Sequence, residues 1–339
     1  LSLALLLLLL VFGRSHPPPG RTLDIDWPPA LNADEAAALL YEKGLVERAD
    51  TMAVFLRTTG GTSAFVPGPH LLFEGASPWE LRELLSRSFM RPGAKITIPE
   101  GWNRFDIATR LEKLHLASRR AFLAASADPA LLAELGLAPA ESAEGSLFPA
   151  TYELGLDSDP REIVKRLVGE ADRRWEALAA NHRESLERLH TTLAFGRREI
   201  VTLASVIEKE AAVDDERPLI ASVFLNRLLD PEFKPKRLQS DPTAMYGCIA
   251  SPTDAPSCAE FTGKPSAAIN HDPKNRYSTY THVGLPPGPI ANPGSRSLAA
   301  AMEPASTHYF YFVASGGGRH TFSESLDAHN EAIRRGRPP

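Results

Sequence analysis

The sequence predicts an α+β protein built from three successive segments. Short apolar–polar alternations, each followed by a helix-start signal, recur over residues 22–116. Residues 117–195 are rich in Ala, Leu and Arg at helical spacing, and residues 196–335 mix amphipathic helices with proline- and glycine-rich loops and an aromatic hairpin.

A chain of 339 residues is long enough for two ordinary domains or one large one. Its 37 Lys and Arg against 42 Asp and Glu give a formal charge of 37 − 42 = −5, with no basic stripe. That balance argues against nucleic acid as a partner. Two cysteines exclude a disulfide-dense scaffold and a four-cysteine zinc site. The histidines of the last segment, 271, 282, 308, 320 and 329, lack ligand spacing, so no metal is expected. No Gly-x-Ser-x-Gly elbow is present, and the run Gly316-Gly317-Gly318 lacks the Lys-Ser/Thr and helix start of a phosphate loop.

Residues 1–13 form an uncharged apolar run, and residues 14–21 a proline-rich linker. Thirteen residues are fewer than the ~20 that span a hydrocarbon core. The run reads as the remnant of a membrane anchor or as the apolar core of a secretory signal. The lack of a small-x-small cleavage site favours the anchor. Either reading exports the body of the chain, and Cys248 and Cys258, which bracket a proline-containing loop, are then expected to form a disulfide. Closing so small a ring contributes about 2–3 kcal/mol through the unfolded state.

In the first segment, residues 23–27 alternate as a strand, and Asn32 with Glu35 forms a capping box before a helix. A turn at Pro67-Gly68-Pro69 precedes an extended piece over 70–73, and Ser77 caps a helix whose first residue is Pro78. A third unit pairs a strand over 95–98 with a helix over 106–114. The second segment is helical, broken at 144–152, with a long amphipathic helix from Pro160 towards Arg188.

The third segment carries the chemistry. The helix over 197–212 sets Ile200, Leu203, Ala204, Ile207 and Ala211 on one apolar face. With about 100° per residue, Glu210 lies roughly 20° beyond Leu203 on one margin of that face, and Glu208 lies on the other. A carboxyl group at such a margin is partly desolvated, which raises its pKa and suits it to general-acid work. Periodicity does not choose between the two, and two solvated glutamates would give the same pattern. A second helix follows over 217–228, then Asp241-Pro242, where Asp241 can cap the next helical turn. Residues 277–281 read as a polar, aromatic strand, and 284–294 as a rigid groove-lining loop. Ser295 is expected to cap a short helix. Strands over 309–314 and 320–322 flank the glycine turn.

Several of these runs, in this order, resemble the endolytic murein transglycosylase family, also called MltG or YceG-like. They are the run from Leu203 to Glu208-Lys209-Glu210, Glu216-Arg217, and Val223-Phe224-Leu225-Asn226-Arg227-Leu228. Leu238-Gln239-Ser240-Asp241-Pro242-Thr243, Tyr277-Ser278-Thr279-Tyr280, the loop over 284–294, His320-Thr321-Phe322 and His329-Asn330 complete the set. The resemblance implies a single-pass protein of the bacterial inner membrane with its body outside the cytoplasm. It implies a small LysM-like membrane-proximal subdomain (22–116), a helical connector (117–195) and a mixed α/β catalytic domain (196–335). It also selects Glu210, the second glutamate of Glu-Lys-Glu, as catalytic.

The implied reaction cleaves the β-1,4 bond between N-acetylmuramic acid and N-acetylglucosamine within peptidoglycan glycan strands and leaves a 1,6-anhydro end, without a cofactor. It would terminate strands made by peptidoglycan polymerases, the implied partners. Gln239, Asp241, Tyr277, Tyr280 and Asn292 are the candidate groove residues, although Asp241 can serve only as a helix cap and Gln239 only as a loop stabiliser. Three features depart from the family pattern: Ala150 stands where an acidic residue is usual, the segment between Gly247 and Tyr277 holds the two cysteines, and the amino-terminal apolar run is shorter than the expected anchor. Two other functions fit the residues. One is a hydrolytic muramidase using Asp241 as second carboxylate, the other a non-catalytic wall-binding scaffold.

Overall fold

The computed structural model describes residues 21–87, 94–155 and 158–336. The apolar run and almost all of the linker lie outside the described residues. Among those described, no helix is long and apolar enough to cross a membrane. The chain divides into two compact units at Gly93–Ala94.

In the first unit, β1 (Thr22–Trp27) pairs antiparallel with β2 (Gly68–Phe73), with Thr22 opposite Phe73 and Trp27 opposite Gly68. Between them lie α1 (Ala33–Glu42) and α2 (Ala49–Thr58), and α3 (Pro78–Ser86) follows β2. The expected capping boxes are formed: Asn32 Oδ1 accepts from the Glu35 amide at 3.0 Å, and the Ser77 amide donates to Glu80 Oε2 at 2.7 Å. Ile25 and Trp27 alternate inward on β1 and meet Leu40, Phe55, Leu56, Leu72, Leu81 and Leu85. Period-two burial on a strand and stripes on three helices thus close one small core.

The second unit begins with β3 (Ala94–Thr97), which pairs antiparallel with β4 (Thr151–Leu154). The third strand–helix unit of the sequence therefore belongs with the connector rather than with the first segment. The reason is the β4 partner, 54 residues along the chain, where Thr97 and Thr151 hydroxyls also meet at 2.9 Å. Around this ribbon pack α4 (Arg104–Lys113), α5 (Arg119–Ala125), α6 (Pro129–Glu134) and α7 (Pro160–Asn181), burying Ile96, Ile107, Leu111, Phe122, Leu147 and Leu167. The long helix from Pro160 stops at Asn181, and α8 (Arg183–Leu193) starts anew. His182 leaves helical geometry there and is tied through Nδ1 to Glu303 Oε2 at 2.6 Å.

The second core of this unit surrounds α9 (Arg197–Glu210), which is buried on all sides along Ile200–Ile207 rather than on one face. Packed with it are α10 (Arg217–Leu229), α11 (Asp241–Ala250) and α13 (Ser295–Met302), the short α12 (Ala267–Asn270) lying against α11. The hairpin of β5 (Tyr311–Gly316) and β6 (Arg319–Ser323) and then α14 (Leu326–Gly336) end the described chain. Residues 277–281 are consecutive turns, not a strand. Ser278 and Thr281 amides bond to Asn275 and Ser278 carbonyls at 2.9 and 3.2 Å, so the backbone satisfies itself locally. Gly294, not Ser295, caps α13. Cys248 and Cys258 are joined in a disulfide, with Cα atoms 5.0 Å apart.

Glu144 cross-links distant parts of this unit. Its carboxyl group accepts from the Arg104 amide at 3.0 Å, the Tyr246 hydroxyl at 3.0 Å and Asn292 Nδ2 at 2.8 Å. Burial outweighs these donors and pushes its pKa up to about 7. The folded state therefore holds the proton more tightly than the unfolded chain, whose ordinary value is 4.5. Stability should be fullest below that value and fall by about 3 kcal/mol as pH rises through 7. Urea denaturation at a series of pH values should find this slope in the parent and its loss in Glu144→Gln, whatever the variant's overall stability.

Candidate active site

Two carboxylates two residues apart on α9 end in opposite circumstances. Glu208 Oε1 accepts from Arg217 at 3.1 Å and Oε2 from the Gly294 amide at 3.0 Å, and its side chain is 6% exposed. Arg217 is further held by the Ser297 hydroxyl and by Asp214 at 2.6 and 3.2 Å. A Cβ at Gly294 would come within 1.9 Å of Glu100 Oε1, so a side chain here requires the exposed Glu100 carboxylate to swing aside. Glu208 is thus fully engaged by structural partners.

Glu210, the last residue of α9, instead opens into a cleft of about 360 Å³. Arg227, Gln239, Asp241, Tyr280, Tyr311, Phe312, Leu326 and His329 also line it. Glu210 Oε1 accepts from Ser240 Oγ at 2.5 Å. Burial raises its pKa. The Ser240 hydrogen bond works against that rise, Asp241 adds to it, and His320 and Arg227 oppose it. The carboxyl also sits at the negative end of the helix dipole, which disfavours its ionised form.

The other walls come from separate elements. Arg227 leaves α10 to donate from Nε to the Phe310 carbonyl at 2.7 Å and from Nη1 to the Leu238 carbonyl, and its guanidinium lies over the Tyr311 and Phe233 rings. Burial lowers its pKa to about 10, so it is still a cation at neutral pH. Asp241 is not the helix cap; it is the first residue of α11, and its Oδ1 accepts from Tyr280 OH and Asn270 Nδ2, both at 2.7 Å. Burial, then this bond, pushes the Tyr280 hydroxyl up. His329 stacks on Tyr311 with centroids 5.2 Å apart, and burial beside Arg227 lowers its pKa, favouring the neutral ring.

Of the sequence candidates, Glu210, Gln239, Asp241 and Tyr280 come together in the cleft. Tyr277 and Asn292 do not. Tyr277 packs edge-on against Tyr246 and lines a different cavity with Arg198 and Pro287. Asn292 is fully buried and braces the fold, donating to Glu144 and the Trp102 carbonyl and accepting from the Leu147 amide at 2.8 Å. The loop over 284–294 does not line the cleft either. It is strapped to α9 by Arg198 to the Pro287 carbonyl, the Ile290 amide to Ser205 Oγ, and the Gly294 amide to Glu208. Ala150 packs its methyl group against both apolar clusters of the unit.

Sequence reasoning gave no role to Ser240, Arg227, Tyr311 or His329. Arg227, Ser240 and His329 stood only within the runs that carry the family resemblance, and Tyr311 only within a hairpin strand. Among the described residues, no three His, Cys, Asp or Glu side chains gather as metal ligands.

The two glutamates should separate stability from activity. Glu208→Gln leaves the buried Arg217 short of its countercharge and should lower unfolding free energy by roughly 3 kcal/mol in urea titrations. Glu210→Gln removes a carboxylate whose ionisation burial opposes, and should unfold at the same urea concentration as the parent or a higher one.

Comparison with known proteins agrees with this architecture. Residues 27–335 match the model of the YceG-like family. The endolytic murein transglycosylase of Bacillus subtilis (strain 168) is 26% identical over 328 residues, covering 92% of this chain and 84% of that protein. The endolytic murein transglycosylase of Streptococcus pneumoniae (serotype 2, strain D39) is 26% identical over 310 residues, 85% of this chain and 53% of the relative. The chain thus spans about half the length of the streptococcal protein. A crystal structure of a YceG-like protein from Listeria monocytogenes superposes with a TM-score of 0.56 at 26% identity, covering 92% of this chain and 99% of that one. With nearly its whole length matched, from the first strand to the last helix, the chain belongs to the YceG-like family.

Proposed function

We propose that this chain is an endolytic peptidoglycan lytic transglycosylase with Glu210 as its general acid and base. The observation that carries the reading is the single partly desolvated carboxyl group at the end of α9, open to a cleft with aromatic and amide walls. The streptococcal and bacillar relatives, named endolytic murein transglycosylases, support it.

The substrate is the β-1,4 bond from muramyl C1 to the next N-acetylglucosamine. Protonated Glu210 gives its proton to the glycosidic oxygen as the C1–O bond breaks and C1 gains oxocarbenium character. The leaving sugar departs with a free 4-hydroxyl. The Glu210 carboxylate then takes the proton of the same muramyl residue's C6 hydroxyl, and O6 bonds to C1. A 1,6-anhydro end results, no water is consumed, and Glu210 is left protonated for another turnover. Glycosidases that retain or invert normally use a second carboxylate; internal attack removes that need. Tyr280 and Tyr311 give the cleft its aromatic lining, and Gln239 offers an amide to hydroxyl or N-acetyl groups.

Asp241 is the alternative second carboxylate, but the Tyr280 and Asn270 hydrogen bonds already engage it. The apolar run at 1–13 and the Cys248–Cys258 disulfide support an extracytoplasmic body held at the inner membrane, with the first unit as its LysM-like, membrane-proximal part. Acting on strands near the membrane, the enzyme would end those that peptidoglycan polymerases are extending.

Mass spectrometry of glycan strands digested by the protein should find internal fragments with anhydro ends, one water lighter than hydrolysis products, and none with Glu210→Gln. Reducing ends would point to a muramidase using Asp241. Intact strands from the folded protein would leave a wall-binding scaffold.

A further inference from the structure

A carboxyl group that acts first as acid and then as base must present its proton on the oxygen that meets the glycosidic bond. Glu210 has one oxygen already taken, since Ser240 Oγ donates to Oε1 at 2.5 Å. Among the described residues, no hydrogen bond reaches Oε2, and Ser240 Oγ makes no other. A serine hydroxyl has a single proton to give. While that proton is given to Oε1, the proton of the neutral acid is favoured on Oε2, because a carbonyl oxygen accepts a hydrogen bond better than a protonated one.

Ser240 is also fixed in place. It is 2% exposed, its amide donates to Thr279 Oγ1 at 3.0 Å, and its carbonyl accepts from the Thr243 hydroxyl at 2.6 Å. The Thr243 and Thr279 hydroxyls lie 2.9 Å apart and close the cluster. Gln239, just before it, adopts φ 55, a left-handed backbone that a non-glycine residue rarely takes. Its amide bonds to the Thr279 carbonyl at 3.2 Å, so the same threonine holds the strained residue that lines the cleft and the serine that reaches Glu210.

We propose that Ser240 is a positioning residue for the transferred proton: its hydroxyl keeps Oε1 as an acceptor, so that Oε2 carries the proton Glu210 gives up, with Thr243 and Thr279 holding Ser240 on station. This inference rests on the transglycosylase reading and adds to it the oxygen that performs the transfer.

Ser240→Ala removes the hydroxyl and leaves every backbone bond of the cluster available. It also removes an interaction that favours the carboxylate, so the Glu210 pKa should rise further. Loss of activity at high pH, which follows deprotonation of the acid, should then move to still higher pH. We would measure kcat, KM and their pH profiles on purified glycan strands for the parent, Ser240→Ala, Ser240→Thr and Glu210→Gln, with thermal unfolding of each. Ser240→Ala should lower kcat about tenfold or more with KM nearly unchanged. Its alkaline limb should shift upward, and Ser240→Thr, which keeps the hydroxyl, should restore most of the rate. A kcat for Ser240→Ala within about twofold of the parent, with the limb unmoved and Glu210→Gln inactive, would overturn the positioning role alone. A fall in activity with the alkaline limb unmoved would overturn it as well. Turnover by Glu210→Gln would overturn the transglycosylase reading, and this inference with it.

Discussion

The Glu208–Arg217 pair is withdrawn from water, with side chains 6% and 9% exposed, and it joins three elements at one point. Arg217 opens α10, Glu208 lies in the last turn of α9, and the Gly294 amide and Ser297 hydroxyl bring in the start of α13. Taking two charges out of water is costly unless the remaining donors and acceptors are met, and here both Glu208 oxygens and Arg217 Nε and Nη1 have partners. The last turn of α9 is thereby fixed in rotation. Two residues on, Glu210 has only one direction left, towards the cleft.

From that fixed turn the electrostatics of the cleft follow. Burial and the helix terminus both disfavour a charged Glu210, while Arg227 and the Ser240 hydroxyl limit how far that goes. Arg227 keeps its charge despite burial but spends it on the Phe310 and Leu238 carbonyls, so the cleft contains a reluctant acid near a cation rather than a tight ion pair. Such a balance suits a group that must give a proton and then recover one. The aromatic walls, Tyr280 and Tyr311, come from a turn region and a hairpin that follow Glu210 by 70 and 101 residues, so the cleft exists only once the long-range packing is complete.

What was legible in the sequence was local. The capping boxes at Asn32 and Ser77, the two helices bearing Glu210 and Arg227, and the glycine-turned hairpin each depend on neighbours a few residues away. The choice between Glu208 and Glu210 was not legible from periodicity, because the two flank the same apolar face, and only contacts with Arg217 and Gly294 tell them apart. Asn292 was misread for a similar reason. Its partners Leu147 and Glu144 lie 145 and 148 residues away, so no local pattern could mark it as a brace. Residues 277–281 alternate like a strand, yet Asn275 and Ser278 capture the backbone in turns, which takes Tyr277 to another cavity while leaving Tyr280 beside Asp241. Glu144, alone in a loop, carried no signal at all.

Burial at the end of α9 raises the pKa of the Glu210 carboxyl group above that of an ordinary glutamate. Direct titration of Glu210 tests it, by difference infrared spectroscopy or carbon NMR of labelled glutamate, using Glu210→Gln to assign the signal. The midpoint should lie above the ordinary 4.5. A midpoint at or below that value in an active protein would contradict it.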